Sequence, residues 1–148
     1  MTTVEEISER FVRKIQSAVG VEVEITEEGE LVLQVSPLQV VRALTILQGR
    51  QDLRFVLLTD MVVVDRPASD ERFEVNYILT SLLLKMRLCV QTFVEEDEVM
   101  ESVAAVYPSA VWFERENQEI FGLSFRVFPA LEPLWGTATQ RPCLRKRS

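Results

Sequence analysis

Histidine is missing from this 148-residue chain altogether. The commonest general base and the commonest metal ligand therefore drop out together. Cysteine is nearly missing: Cys89 and Cys143 stand far apart, and neither belongs to a Cys-x-x-Cys pair. Two thiols fall short of the four ligands an ordinary iron–sulfur cluster takes. They are expected to stay reduced, and Cys89, inside "RLCVQTFV", reads as a buried structural thiol. Glycine-rich phosphate loops and nucleophile elbows of the Gly-x-Ser-x-Gly kind are lacking too. No apolar run approaches the roughly 18 residues needed to cross a bilayer. The opening "MTTVEEISERF" is acidic and amphipathic, unlike a secretory signal or a transit peptide, so a cytoplasmic location is expected. Positive charge is scarce: 16 Lys/Arg stand against 23 Asp/Glu, a net of −7. A nucleic-acid partner, whose phosphates need a positive surface, is not expected.

What is present fits one globular domain, with 47% hydrophobic and 26% charged residues. The charge is unevenly placed. Residues 1–125 hold 11 Lys/Arg and 22 Asp/Glu, a net of −11, whereas residues 126–148 hold five against one, a net of +4. The tail also carries three of the six prolines and no sustained periodicity. The chain therefore divides into a folded body, 1–125, and a basic extended C-terminal arm, 126–148.

The apolar spacing of the body predicts its elements. "TTVEEISERFVRKIQSAVG" reads as a helix with Thr2 or Thr3 as cap and Gly20 beyond its last turn; Ile7, Phe11, Ile15 and Val19 form its stripe. "VEVEITEEGELVLQV" alternates through Val21, Val23 and Ile25, turns at Glu28-Gly29, and resumes at Leu31, Leu33 and Val35, as a β-hairpin does. "SPLQVVRALTILQG" predicts a helix with Ser36 as N-cap and Pro37 in its first turn, burying Leu38, Val41, Leu44 and Leu47. "RFVLLTDMVVVD" is a continuous apolar run, expected to be a strand buried on both faces. "RFEVNYILTSLLLKMRLCVQTFV" supplies two more strands, broken near Leu84-Lys85-Met86. "EEDEVMESVAAVYP" predicts an acid-led helix ending before Pro108, and residues 112–121 a last short helix stopped by Gly122. Helices on one face of a mainly antiparallel mixed sheet, followed by the arm, make the expected class α+β.

Carboxylates are abundant, but "EEDE" at 95–98 and "EE" at 27–28 read as solvated charge. Glu114 and Glu116, two residues apart on a helix, point to nearly opposite sides and cannot act as a pair. The last helix poses the sharper question. With Phe113 and Ile120 marking its apolar side, Glu116 falls within the stripe and needs a partner. That partner is either internal (Arg115 or a backbone group) or a donor on another protein, with Trp112 and Phe113 as anchors around it.

"WFERENQEIFGLSF" resembles the signature of the 30 kDa subunit, or C subunit, of proton-translocating NADH–quinone oxidoreductase, respiratory complex I. That pattern runs Trp-Phe-Glu-Arg-Glu, two variable positions, Asp, an aliphatic residue, Phe-Gly-Ile/Val, any residue, Phe. Trp112, Phe113, Glu114, Arg115, Glu116, Phe121, Gly122 and Phe125 match as they stand, and Glu119 replaces the Asp. Upstream, "DLRFVLLTDMVVVD", the paired-strand segment and "ESVAAVYPSAVWFERE" also resemble the family, so the likeness covers about residues 30–125. The family then continues Gly-His-Pro-Asp-Leu-Arg-Arg and, later, His-Pro-Leu-Arg-Lys. Here Pro129, Leu131 and Leu134 remain, but Phe128, Ala130, Glu132 and Pro133 replace charged anchors; Leu144, Arg145 and Lys146 are kept further on.

The resemblance implies a non-catalytic scaffold subunit, peripheral on the cytoplasmic side of the plasma membrane and tied to the membrane only through its complex. It implies no cofactor in this chain, with FMN and iron–sulfur clusters in partner subunits. The partners would be the large quinone-site subunit, which the chain would brace, and neighbouring iron–sulfur subunits. The assembly would pass electrons from NADH to quinone and translocate protons. The signature residues would form the interface, and Pro129, Leu131, Leu134, Arg145 and Lys146 the arm contacts. The same scaffold occurs in energy-converting hydrogenases and formate hydrogenlyases, and a free-standing cytoplasmic adaptor domain is the reading from another class.

Overall fold

The computed structural model describes residues 4–127, with side chains from residue 9 onward. The arm positions Pro129, Leu131, Leu134, Arg145 and Lys146, the second cysteine and the Ile7 side chain lie outside the described residues. The elements run α1 (Val4–Val19), β1 (Val23–Ile25), β2 (Leu31–Gln34), a 3-10 turn (Pro37–Gln39), α2 (Val40–Gly49), β3 (Leu57–Asp65), β4 (Phe73–Ser81), β5 (Met86–Val94), β6 (Val99–Glu101), α3 (Ala110–Phe121) and β7 (Ser124–Arg126).

Five strands form one mixed sheet in the order β1-β2-β5-β4-β3, and β6 and β7 make a separate parallel pair. All ladders of the large sheet are antiparallel except β2 with β5. The predicted hairpins form where alternation was cleanest. In β4, Phe73, Val75, Tyr77 and Leu79 face the core, and in β5 Leu88, Val90 and Val94 do. Against them pack Ile15 and Val19 of α1, Val40, Ala43, Leu44 and Leu47 of α2, and Ala110 of α3. Each of the larger aliphatic and phenylalanine side chains contributes about 1.5–3 kcal/mol of burial, and the two alanines less. The helices thus cover one face, and the class is the expected α+β.

Four expectations fail, each for a local reason. β3 is an edge strand rather than a central one: Leu58 and Met61 are buried, but Leu57, Val62 and Val64 are exposed. Its register shifts between Leu58 and Asp60, a bulge of the kind that guards an edge. Leu38 is exposed because the first turn is 3-10, and Val41 is only half-buried; Leu44 and Leu47 are buried as expected, joined by Val40 and Ala43, and Ser36 makes no side-chain cap. The acid-led helix does not form. Glu95–Glu98 closes a turn, with the Glu98 N–H donating to the Glu95 carbonyl, and Val99–Glu101 become β6, paired with β7. Cys89 is half-buried on the uncovered sheet face rather than in the core, and its thiol donates to Asn76 Oδ1 at 3.4 Å.

Candidate functional site

α3 is framed at both ends. Before it, the Tyr107 hydroxyl donates to the Phe55 carbonyl and ties the approach to the segment leading into β3. After it, Gly122 adopts φ 75°, and its N–H donates to the Gln118 carbonyl at 3.0 Å. That left-handed residue is the reason glycine follows the helix. The chain then reverses so that Leu123 is buried and Phe125, in β7, pairs with Met100 of β6.

The inward face of α3 is Ala110, Phe113, Glu114, Asn117 and Phe121, spaced three and four apart. The buried carboxylate is therefore Glu114, at 6% exposure, and the assignment of the stripe to Glu116 is corrected: Glu116 is exposed, as is Ile120. The stripe is phased by Ala110 and Phe121, and counting from Phe113 and Ile120 turned it onto the wrong carboxylate. Glu114 has its partners within the chain. Ser102 Oγ donates to Oε1 at 2.7 Å and the Val103 N–H donates to Oε2 at 2.8 Å. Burial raises its pKa, while these two bonds pull the other way. Its charge also adds to the burial that raises the Tyr77 phenol. Ser102 and Val103 carried no sequence signal of their own, because they lie within the segment that read as a helix.

Other signature residues are used in the same way. Phe121 meets Phe73 edge-on with centroids 6.0 Å apart, and Phe113, Phe121 and Phe125 all pack against the core. Asn117 Nδ2 donates to the Phe113 carbonyl at 2.8 Å.

The rest of the signature is free. Trp112 is 68% exposed and Ile120 70% exposed. The Arg115 guanidinium lies 5.5 Å from the centre of the Trp112 ring, and Glu116 and Glu119 share that outward side. The structure thus splits the eight signature positions: Trp112, Arg115 and Glu116 face outward, and Phe113, Glu114, Phe121, Gly122 and Phe125 serve the fold. Among the described residues no cluster of metal-ligating side chains forms, and no helix is long and apolar enough to cross a membrane.

The model of the family "Respiratory-chain NADH dehydrogenase, 30 Kd subunit" matches residues 33–146. This chain belongs to that family. It is 36% identical over 110 residues to the C subunit of the NADH-quinone oxidoreductase of Xanthobacter autotrophicus, covering 74% of this chain and 53% of that protein. It is 38% identical over 107 residues to NADH-ubiquinone oxidoreductase subunit 9 of Reclinomonas americana, covering 72% and 52%. The chain spans about half the length of these curated relatives. Among solved structures it resembles the trypsin-resistant fragment (1-134) of Nqo5, with TM-score 0.62 and 25% identity over 80% of this chain and 95% of that one. A chain of the membrane-bound sulfane sulfur reductase, an archaeal respiratory membrane complex, shares the fold with TM-score 0.70 and 24% identity, covering 90% and 79%.

Proposed function

We propose that this 30 kDa-family chain is a scaffold subunit in the hydrophilic arm of an NADH–quinone oxidoreductase. It would carry no iron–sulfur cluster or histidine-held metal of its own, because it offers no histidine and only two cysteines. The outward side of α3 is its docking face, and the partner is the large quinone-site subunit that it braces. Neighbouring iron–sulfur subunits complete the surroundings, and the chain is held peripherally at the membrane through them.

The observation that carries this reading is the split within the signature. The buried positions are explained by this chain's own core, whereas nothing within the described residues explains a tryptophan at 68% exposure and an isoleucine at 70% about two turns further along the same helix. Exposed aromatic and arginine side chains of this kind are what binding hot spots are made of. The Arg115 guanidinium lies within cation–π distance of the Trp112 ring, which places the two side chains together on that face.

The test is Trp112→Ala combined with Ile120→Ser in the full chain, expressed in its own host. The variant should melt like the parent yet fail to co-purify with the large redox subunits. Normal assembly would remove α3 as the docking face. Identification of the co-purifying proteins tests the complex itself: hydrogenase or formate hydrogenlyase subunits, or no redox subunits at all, would replace the NADH–quinone reading.

A further inference from the structure

Among the described residues twelve large apolar side chains are exposed, and six of them come from three segments that meet at one end of the domain. They are Val56 and Leu57 where the chain enters β3, Leu82 and Leu83 at the turn between β4 and β5, and Val111 and Trp112 in the first turn of α3. Leu57 pairs with Thr80, two residues before Leu82. The Ser81 hydroxyl donates to the Leu53 carbonyl and accepts from the Leu84 N–H at 3.2 Å. The Tyr107 hydroxyl donates to the carbonyl of Phe55, next to Val56, three residues before α3 begins. Single exposed leucines are ordinary, but a gathering of this kind marks an interaction surface.

The hairpin tip is held in place. Ser81 is fully buried, Leu84 and Met86 pack against the core, and Lys85 between them closes the turn at φ 55°. Leu82 and Leu83, 64% and 58% exposed, are thus presented from a backbone anchored on both sides. The tip is also uncharged: residues 81–84 read "SLLL", and residues 55–57, beside them, read "FVL". On α3 the situation is reversed. One turn beyond Trp112 its helical neighbours are Arg115 and Glu116. An aromatic anchor binds well when apolar contacts around it exclude water, and α3 supplies few of its own. They lie on the other side of the helix start, in Val111, Val56, Leu57 and the tip.

We infer that the β4–β5 hairpin tip is the apolar half of the α3 docking face, with Leu82 and Leu83 seated in an uncharged, aliphatic or aromatic socket on the same protein partner that receives Trp112. The inference rests on the α3 docking reading and adds to it the second contact and the partner's chemistry there. An interface core of this composition is depleted of charge, and Arg115, Glu116 and Glu119 of α3 fall on its polar rim. The two contacts stand at neighbouring ends of α3 and the sheet, tied through Tyr107 and Phe55, so one rigid partner surface meets both without a change in this chain's fold.

The experiment places the photo-crosslinking residue p-benzoylphenylalanine at position 83 and, separately, at position 112 of the full chain in its own host, and identifies the linked polypeptides by mass. Both positions should link to one and the same polypeptide, and position 83 to an uncharged apolar stretch of it. Leu82→Ser with Leu83→Ser should lower co-purification of that polypeptide about tenfold or more at unchanged melting temperature. If the serine pair disturbs folding, the two cross-links carry the test alone. A link from position 83 to a different polypeptide, to a second copy of this chain, to a charged segment or to nothing, while position 112 still links, overturns the inference and leaves the α3 face standing. So does a folded serine pair that co-purifies normally. Failure of both positions to link removes the α3 face and this extension together.

Discussion

Replacing Glu114 with leucine and with glutamine separates a carboxylate that braces the fold from one that waits for a partner. Leucine leaves the Val103 N–H, on a residue with 0% exposure, without its acceptor at 2.8 Å. An orphaned buried donor costs about 1–3 kcal/mol. Ser102, only half-buried, can turn its hydroxyl elsewhere, and removing a desolvated charge returns part of the loss. The net expectation is about 1–3 kcal/mol, or a fall of about 3–9 °C in Tm. Glutamine keeps both contacts, since its oxygen accepts from Val103 and its amide donates to Ser102 Oγ, so it should stay within about 1 kcal/mol of the parent. The pH dependence has a definite sign. Burial holds the Glu114 pKa above its ordinary 4.5, so the folded state binds the proton more tightly than the unfolded one. That contribution is fully present below 4.5 and is lost as pH rises through the raised folded value. Glutamine does not titrate, so the stability of the parent relative to Glu114→Gln should decline as pH rises across that window. Urea titrations at several pH values measure it. A leucine variant that melts like the parent would refute the brace, whereas a parent-minus-glutamine difference that grows with pH would refute the raised pKa and show that the bonds from Ser102 and Val103 outweigh burial.

Gly122→Ala should lose about 1 kcal/mol in urea titration, from backbone strain alone, because the added Cβ meets nothing within 4 Å and φ is +75°; Gly122→Asn should recover part of it, and an alanine variant as stable as the parent would deny the left-handed cap. Glu116→Leu, on the exposed side, should shift stability by less than about 0.5 kcal/mol while weakening co-purification with the large subunit; a marked loss of stability in the isolated chain would return Glu116 to the buried stripe. A chain ending at Val127, which keeps the Arg126 carbonyl that accepts from the Ser102 N–H and so keeps β7 closed on β6, should melt like the full chain but assemble poorly; normal assembly would deny residues 128–148 a docking role.

Where the sequence was legible, short-range periodicity alone decided the structure. β4 and β5 alternate closely, with Ile78, Cys89, Thr92 and Phe93 as departures, and a one-residue slip would turn Phe73, Val75, Tyr77 and Leu79 away from the side that holds Leu88 and Val90. Illegibility came from features set by distant residues. An apolar run such as "LLTDMVVVD" satisfies a central strand and an edge strand equally, and the choice rests on how many strands lie beyond it. β6 was misread because its three residues pair with β7 more than twenty positions later, a contact no local window contains. The acidic "EEDE" before it suits a helix start as well as the turn it makes.

The signature joins both kinds of legibility. Read as a wheel, it offered two carboxylates and one buried face, and the choice between them turned on whether Ala110 or Ile120 marked that face. Ala110 does, because Tyr107 fixes the approach and Gly122 fixes the exit, and both lie beyond the ten residues of that wheel. Once Glu114 is accounted for by Ser102 and Val103, Phe121 by Phe73 and Gly122 by its φ, the core has no further use for Trp112, Arg115 and Glu116. A fold explains the residues it satisfies. An Arg115–Trp112 cation–π pair facing solvent is left over from that explanation, and this is why the search for the partner begins on the outward side of α3.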